Sequence, residues 1–355
     1  MSDLQFEPNV SLAALTTLGV GGSARLLARV QTEAEIGLAL DKARDEGLKV
    51  LVLGGGSNLL VSDKGVDALV LVLENQSIEC LERLEDSVVL KVGAGCVWDD
   101  FVAYCVEQGY SGVECLSGIP GCMGAAPIQN IGAYGQEASQ VIESVGCVSK
   151  MDGRPSSYSN EACGFGYRTS HFKKGPLKTE IVAHVVVRLS LSPAQKPLYP
   201  ELIRACGEDC RDLKTLRETV IRLRRAKSMI YDTDDPNHRS AGSFFVNPIV
   251  SVETVESVRA ALKKQGIEHE HMPCFAQGDG QFKLSAAWLM DRAGYKKGFG
   301  QGLVGLSTNH CLAIVNRGGA SCVEIQALMA TVQEGVWAQF GVQLNPEPVF
   351  WGDER

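Results

Sequence analysis

Apolar residues recur at helical spacing after Thr32: Ile36, Ala39, Leu40 and Ala43 fall on one face, and Gly47 follows. Thr32 and Glu35 have the form of a capping box, so the pattern predicts a helix over 32–47. The same reasoning gives helices over 97–108, 213–227, 253–265, 284–293 and 321–340. The 213–227 helix carries a stripe of Leu213, Leu216, Val220 and Leu223, and the last opens on Ser321 with Glu324. Unbroken apolar runs predict buried strands over 49–53, 59–61, 68–73 and 87–92. Segments 141–150 and 179–191 read as antiparallel strands, with a turn at Asp152-Gly153. Residues 10–30 start as a glycine-rich turn region, and 193–200 reads as a loop carrying Tyr199. Strands and helices come in mixed order, without regular alternation, which favours an α+β architecture over a parallel α/β one.

Composition narrows the function classes. The chain has 355 residues, 45% of them apolar, enough for two or three domains with a sizeable core. A net charge of −8 argues against nucleic acid as a partner, because phosphate neutralisation needs a basic surface. No run is long and apolar enough for a membrane span, and the first residues lack the pattern of a secretory signal. The twelve cysteines contain no Cys-x-x-Cys and read as reduced cytosolic thiols. The polar run 232–239 is the best candidate for a domain boundary.

Two glycine segments carry the strongest chemical signal. Residues 117–135, SGIPGCMGAAPIQNIGAYG, hold glycine at 118, 121, 124, 132 and 135, with Pro120 and Pro127 between them and no acid or base. Glycine allows close backbone approach, and proline stiffens the path. Such a neutral ribbon can lay backbone N–H groups against a large anionic or planar ligand. For any one glycine, simple packing explains as much. Gly54-Gly55-Gly56-Ser57-Asn58 lies between two strands, where a dinucleotide fingerprint would open a helix and a P-loop would need Gly-Lys-Ser/Thr. It is either a phosphate-holding loop of N–H donors or a wide hairpin turn.

Single residues add candidates, each with a bland alternative. Arg168, in GFGYRTS, can clamp a carboxylate or be an ordinary surface arginine. Ser243 sits between Gly242 and two phenylalanines, without the nucleophile-elbow pattern of acyl transfer. Glu347 is held between Pro346 and Pro348, or is an exposed tail acid. Lys227 with Arg224 and Arg225 can meet a diphosphate, although a helix C-terminus favours such a cluster anyway. His269 and His271 match no catalytic zinc spacing and read as a solvated turn, so no metal is expected.

Together these segments resemble the UDP-N-acetylenolpyruvoylglucosamine reductases, the MurB family of bacterial peptidoglycan synthesis. The likeness is carried by TLGVGG at 17–22, LGGGSN at 53–58, the 117–135 run, YRTS at 167–170, GSFF-x-NP at 242–248 and the Pro346-Glu347 tail. It runs in the family's order over nearly the whole chain. Val246, where lysine is common, and Pro348, where valine is usual, depart from the pattern.

The resemblance implies an FAD enzyme of the vanillyl-alcohol-oxidase type, with a smaller α+β substrate domain. Residues 1–75 and 76–230 would be the two flavin subdomains and 231–340 the substrate domain, with the tail 341–355 returning to the first subdomain or the site. Gly54, Gly55, Gly56, Ser57, Asn58, Ser117, Gly118, Ile119, Gly121, Gly124, Ala125 and Ile128 would hold FAD. Tyr134, Tyr199, Lys227 and Asn247 would face a nucleotide-sugar substrate, Tyr199 on the extra loop of type I members. NADPH would supply the hydride for the enolpyruvyl ether. Arg168 and Glu347 would stabilise the resulting enolate, and Ser243 would deliver its proton. A cytoplasmic monomer is expected. Two rivals stay open: another flavin oxidoreductase of the same type, and a nucleotide-sugar or flavin sensor without turnover.

Overall fold

The computed structural model describes residues 4–267 and 271–352. His269 lies outside them, and His271 is exposed. The chain forms two compact units, one of residues 1–10, 23–56 and 66–230, the other of 11–22, 57–65 and 231–355.

The first unit contains two sheets. In the four-stranded sheet the order is Glu7–Ser11, Ser23–Val30, Val66–Leu73, Lys49–Leu53, and the last three strands are parallel. The helix Glu33–Asp45 has the expected capping box: Thr32 accepts the Glu35 N–H, and Glu35 accepts the Thr32 N–H. Ile36, Ala39, Leu40 and Ala43 are buried with Ala28, Val30, Leu69 and Leu71, and with Val148, Ile181 and Ala183 of the second sheet. The strand Ser23–Val30 follows the glycine-rich turn, over residues to which the sequence pattern assigned no element. Its buried Ala24, Leu27, Ala28 and Val30 are interrupted by Arg25 and Arg29, which form ion pairs at the exposed positions.

The second sheet is antiparallel, ordered Pro155–Ser159, Ile142–Ser149, Glu180–Ser190, Ser87–Gly93, Ile78–Arg83. The two edge strands escaped the hydrophobic pattern because most of their side chains face solvent. The helix Trp98–Glu107 buries Trp98, Phe101, Val102 and Cys105, and the Trp98 indole donates to the Leu116 carbonyl at 3.0 Å. The helix Leu213–Arg225 buries Leu216 and Val220 with Leu202 and Cys115. The loop carrying Tyr199 runs into a helix not expected from the pattern, Pro200–Cys206, with proline in its first turn, where its missing N–H costs nothing.

The second unit packs the helices Val252–Lys264, Ala286–Arg292 and Cys322–Phe340 around Phe244, Phe245, Leu289, Ile325 and Val332. Its three-stranded sheet, ordered Ile249–Ser251, Gln281–Leu284, Cys274–Gly278, and its pair Val304–Leu306 with Ile314–Asn316 were too short to show as a pattern. Leu59–Val61 pairs in parallel with Val349–Trp351, so residues 54–58 are no hairpin turn. Gly22 donates to the Ser62 carbonyl at 2.8 Å, and a Cβ at Gly22 would lie 2.4 Å from the Gly65 nitrogen. That close approach explains a glycine of the 17–22 segment.

Candidate functional site

In the first unit the two glycine segments meet. A Cβ on Gly55 would stand 2.8 Å from the Gly121 Cα, and one on Gly54 would stand 3.5 Å from the Ala125 Cβ. The 54–56 turn and the 117–135 ribbon therefore lie backbone to backbone. Gly55 and Ala125 are exposed, and Ile119, Gly121, Cys122, Gly124 and Ile128 are half-buried. The accessible surface they offer is neutral. Beneath it Ser117 is fully buried, with its hydroxyl on the Glu114 carbonyl at 2.6 Å. The N–H of Gly118 donates to Asp99 at 2.6 Å, and Arg217 grips the same carboxylate at 2.6 and 2.9 Å. Burial alone would raise the pKa of Asp99. The bonds from Arg217 and Gly118 outweigh it and hold the carboxyl below its usual range.

The ribbon ends in a two-residue hairpin. Gly132–Ala133 pairs with Gln136–Glu137, and the turn residues Tyr134 and Gly135 have φ of 50° and 90°. A tyrosine at positive φ is a strained choice that fixes where the ring goes. Its ring meets Tyr199 edge-on at 5.4 Å, and the Lys227 ammonium lies 5.8 Å from its centroid. Lys227 pairs with Glu201 at 2.5 Å. Burial, then the charge of Glu201, pushes the Tyr134 hydroxyl up to about 12, so it is a proton donor at neutral pH. Tyr134, Tyr199 and Lys227 are thus brought together.

Arg168 also has positive φ, 53°, and its guanidinium donates to the Gly132 carbonyl at 2.6 Å and the Asn130 carbonyl at 3.4 Å. It is fastened to the ribbon, not left as a free surface cation. Sequence reasoning named Arg224 only as part of a basic cluster that could meet a diphosphate or serve the helix dipole, and did not single it out as a site residue. Burial depresses its pKa to about 10, with a smaller depression from Arg168 opposed by Tyr134 and Asp99. Its guanidinium donates to the Met229 carbonyl at 2.6 Å, while its buried Nε has no hydrogen-bond partner among the described residues. The signal was present: Arg224 follows Leu216 and Val220 at helical spacing, on the buried stripe. Such an orphaned buried donor on a cationic side chain suits an anionic ligand group.

The second unit holds Ser57, Asn58, Ser243, Asn247 and Glu347. The Phe244 N–H donates to the Leu312 carbonyl at 2.7 Å, and the Phe244 carbonyl accepts the Glu347 N–H at 2.9 Å. Phe245 and Pro346 face each other across an antiparallel bridge. Asn58 holds the tail from its other side. Its amide donates to the Glu347 carbonyl at 3.2 Å, and its own carbonyl accepts the Val349 N–H at 2.9 Å. Ser243 and Glu347 are half-buried on these joined segments. The Asn247 side-chain oxygen accepts the Ala286 N–H at 3.0 Å, at the start of Ala286–Arg292, a structural bond that its residue type alone did not announce.

The donor set fits FAD on two observations. Gly55 and Gly121 meet backbone to backbone, with only the small uncharged Ala125 and Cys122 side chains facing Gly54, and the Arg168 and Arg224 region supplies cationic donors suited to anionic groups. Among the described residues no group of three His, Cys, Asp or Glu side chains is placed to hold a metal, and no helix is long and apolar enough to cross a membrane.

Comparison with known proteins agrees. Residues 234–351 match the family model described as UDP-N-acetylenolpyruvoylglucosamine reductase, C-terminal domain, and residues 24–156 match that of an FAD binding domain. The UDP-N-acetylenolpyruvoylglucosamine reductase of Thermobifida fusca is 44% identical over 352 residues, covering 98% of either chain. That of Streptomyces coelicolor is 43% identical over 348 residues, covering 96% of this chain and 89% of the relative. The crystal structure of the reductase from Thermus caldophilus superposes with a TM-score of 0.68 at 29% identity, covering 98% of this chain and 100% of that one. A glycine-lined FAD-binding domain followed by this C-terminal domain, over relatives matched nearly end to end, means that the chain belongs to the UDP-N-acetylenolpyruvoylglucosamine reductase family of FAD-dependent oxidoreductases.

Proposed function

We propose that the protein reduces the enolpyruvyl ether of UDP-N-acetylglucosamine to the lactyl ether, UDP-N-acetylmuramate, with NADPH as reductant, in cytoplasmic cell-wall precursor synthesis. The observation that carries the reading is the junction of the Ser243 and Glu347 segments through Phe244. A flavin sensor or an unrelated flavin oxidase has no reason to fasten the residue next to a serine to the backbone of a carboxylate-bearing residue.

FAD, when bound, supplies hydride transfer from NADPH to the substrate's vinyl carbon. The 54–58 loop and Ser117, Gly118, Ile119, Gly121, Gly124, Ala125 and Ile128 would hold it, with 1–75 and 76–230 as its two subdomains and 231–340 as the sugar-binding domain. Tyr134, Tyr199, Lys227 and Asn247 would orient the nucleotide sugar. Hydride addition leaves negative charge delocalised into the neighbouring carboxylate as an enolate. Arg168, its guanidinium already aimed by two carbonyls, would stabilise that charge directly. Glu347 would do so as a protonated acid donating a hydrogen bond. The Ser243 hydroxyl would give its proton to the enolate carbon. A serine is a feeble acid, but an enolate is a strong base, so placement matters more than a lowered pKa.

Incubating the protein with NADPH and the enolpyruvyl nucleotide sugar tests this. The expected product is heavier by one hydride and one proton; NADPH consumed without that product contradicts the proposal.

A further inference from the structure

The 117–135 ribbon is a long excursion whose ends must be held if its backbone is to present a fixed surface. Both ends meet at one buried carboxylate. Glu114, three residues before the ribbon, is only 1% exposed. One of its carboxylate oxygens accepts the Gly112 N–H at 2.7 Å, and the other accepts the Gln136 side-chain amide at 2.8 Å. Gln136 is the first residue after the ribbon. Its side-chain oxygen returns across the neck to accept the Cys115 N–H at 2.8 Å. The loop is therefore closed by a reciprocal bridge in which every donor faces an acceptor.

We infer that the Glu114–Gln136 bridge is a positioning clamp that preorganises the ribbon for its flavin. The inference rests on the FAD reading of that ribbon. Glu114 meets an assigned cofactor residue only through its backbone carbonyl, which accepts the Ser117 hydroxyl, and the bonds of the two side chains go to Gly112, Cys115 and each other. Both act through the loop they close. Without the bridge the loop would be ordered by the ligand at binding, and that cost would be subtracted from affinity.

The bond pattern gives a test that separates positioning from mere bulk. In Glu114→Gln an amide must turn a donor toward either the Gly112 N–H or the Gln136 amide. In Gln136→Glu two carboxylates face each other in a buried neck. In the double variant Glu114→Gln/Gln136→Glu every bond is restored: Gln accepts from Gly112, its amide donates to Glu, and Glu accepts from Cys115. The purified holoprotein is diluted, and released flavin is followed by its fluorescence. Each single variant is expected to raise the FAD Kd about tenfold or more, and the double variant to return it to within about threefold of the starting protein. Amide hydrogen exchange over 117–135 reads the clamp independently of flavin: faster in each single variant, slow again in the double. If a single variant fails to fold, Gln136→Asn, which shortens the bridge by one carbon, takes its place. Unchanged Kd and exchange in the single variants, or a double variant no better than the worse single, overturns the clamp. A starting protein that holds no flavin overturns the FAD reading instead, and the exchange comparison still decides the clamp.

Discussion

The N–H of Glu347 donates to the carbonyl of Phe244 at 2.9 Å, which fastens the tail carboxylate's own residue to the neighbour of Ser243. Residues 104 positions apart along the chain are thereby held on adjoining backbone, as 347 less 243 gives. Phe244 and Phe245 are buried, so the junction rests on the core of its unit.

The assigned roles divide the reaction. Ser243→Ala is expected to leave flavin reduction by NADPH unchanged and to slow the oxidative half-reaction with the enolpyruvyl substrate. Glu347→Gln is expected to cut turnover by roughly a hundred- to a thousandfold, the loss typical of an oxyanion donor, with flavin retained. Stopped-flow absorbance measures both halves; equal slowing of the two by Ser243→Ala would remove it from the proton step.

The Tyr134-Gly135 turn makes a second test. A Cβ at Gly135 meets nothing closer than the Leu198 Cβ at 3.9 Å, so Gly135→Ala pays for conformation and not for space. At φ of 90° that cost is about 1–2 kcal/mol. The urea midpoint should fall accordingly. KM for the nucleotide sugar should rise more than kcat falls, because Tyr134 shifts with the turn. An unaltered KM would detach Tyr134 from the substrate.

Acid should expose the Asp99 clamp. Its folded-state pKa lies below the unfolded one, so its stabilisation is present above the ordinary carboxylate value and is lost as pH falls through the folded value. Asp99→Asn should therefore be less stable than the parent at pH 7, with the gap closing as pH drops below about 4. Urea unfolding across that range measures it. A gap independent of pH would mean that the charge contributes nothing.

How much of this was visible beforehand varies with the range of the interaction. The helices at 33–45 and 322–340 were legible because cap and stripe are local: Thr32 with Glu35, Ser321 with Glu324. The parallel pairing of Leu59–Val61 with Val349–Trp351 was not, since three-residue strands distant in the chain carry no shared local signal. The ribbon stood out by composition, but its hairpin did not, because a tyrosine at positive φ has no pattern of its own. Candidate residues with unusual neighbours, such as Arg168 and Glu347, could be named. The groups that hold them in place, Asn58 for the tail and Gly132 for the arginine, are set by tertiary hydrogen bonds. Arg224 shows the opposite case: its place on the apolar stripe was readable, and the helix dipole offered an easier explanation.

The most direct measurement is the visible spectrum of the purified protein under anaerobic conditions, followed through addition of NADPH and then of the enolpyruvyl nucleotide sugar. A yellow protein that NADPH bleaches, and whose oxidised-flavin band returns on adding the nucleotide sugar, is the predicted result. A colourless protein that takes up no FAD, or a bleached one that the nucleotide sugar leaves bleached, would contradict the account.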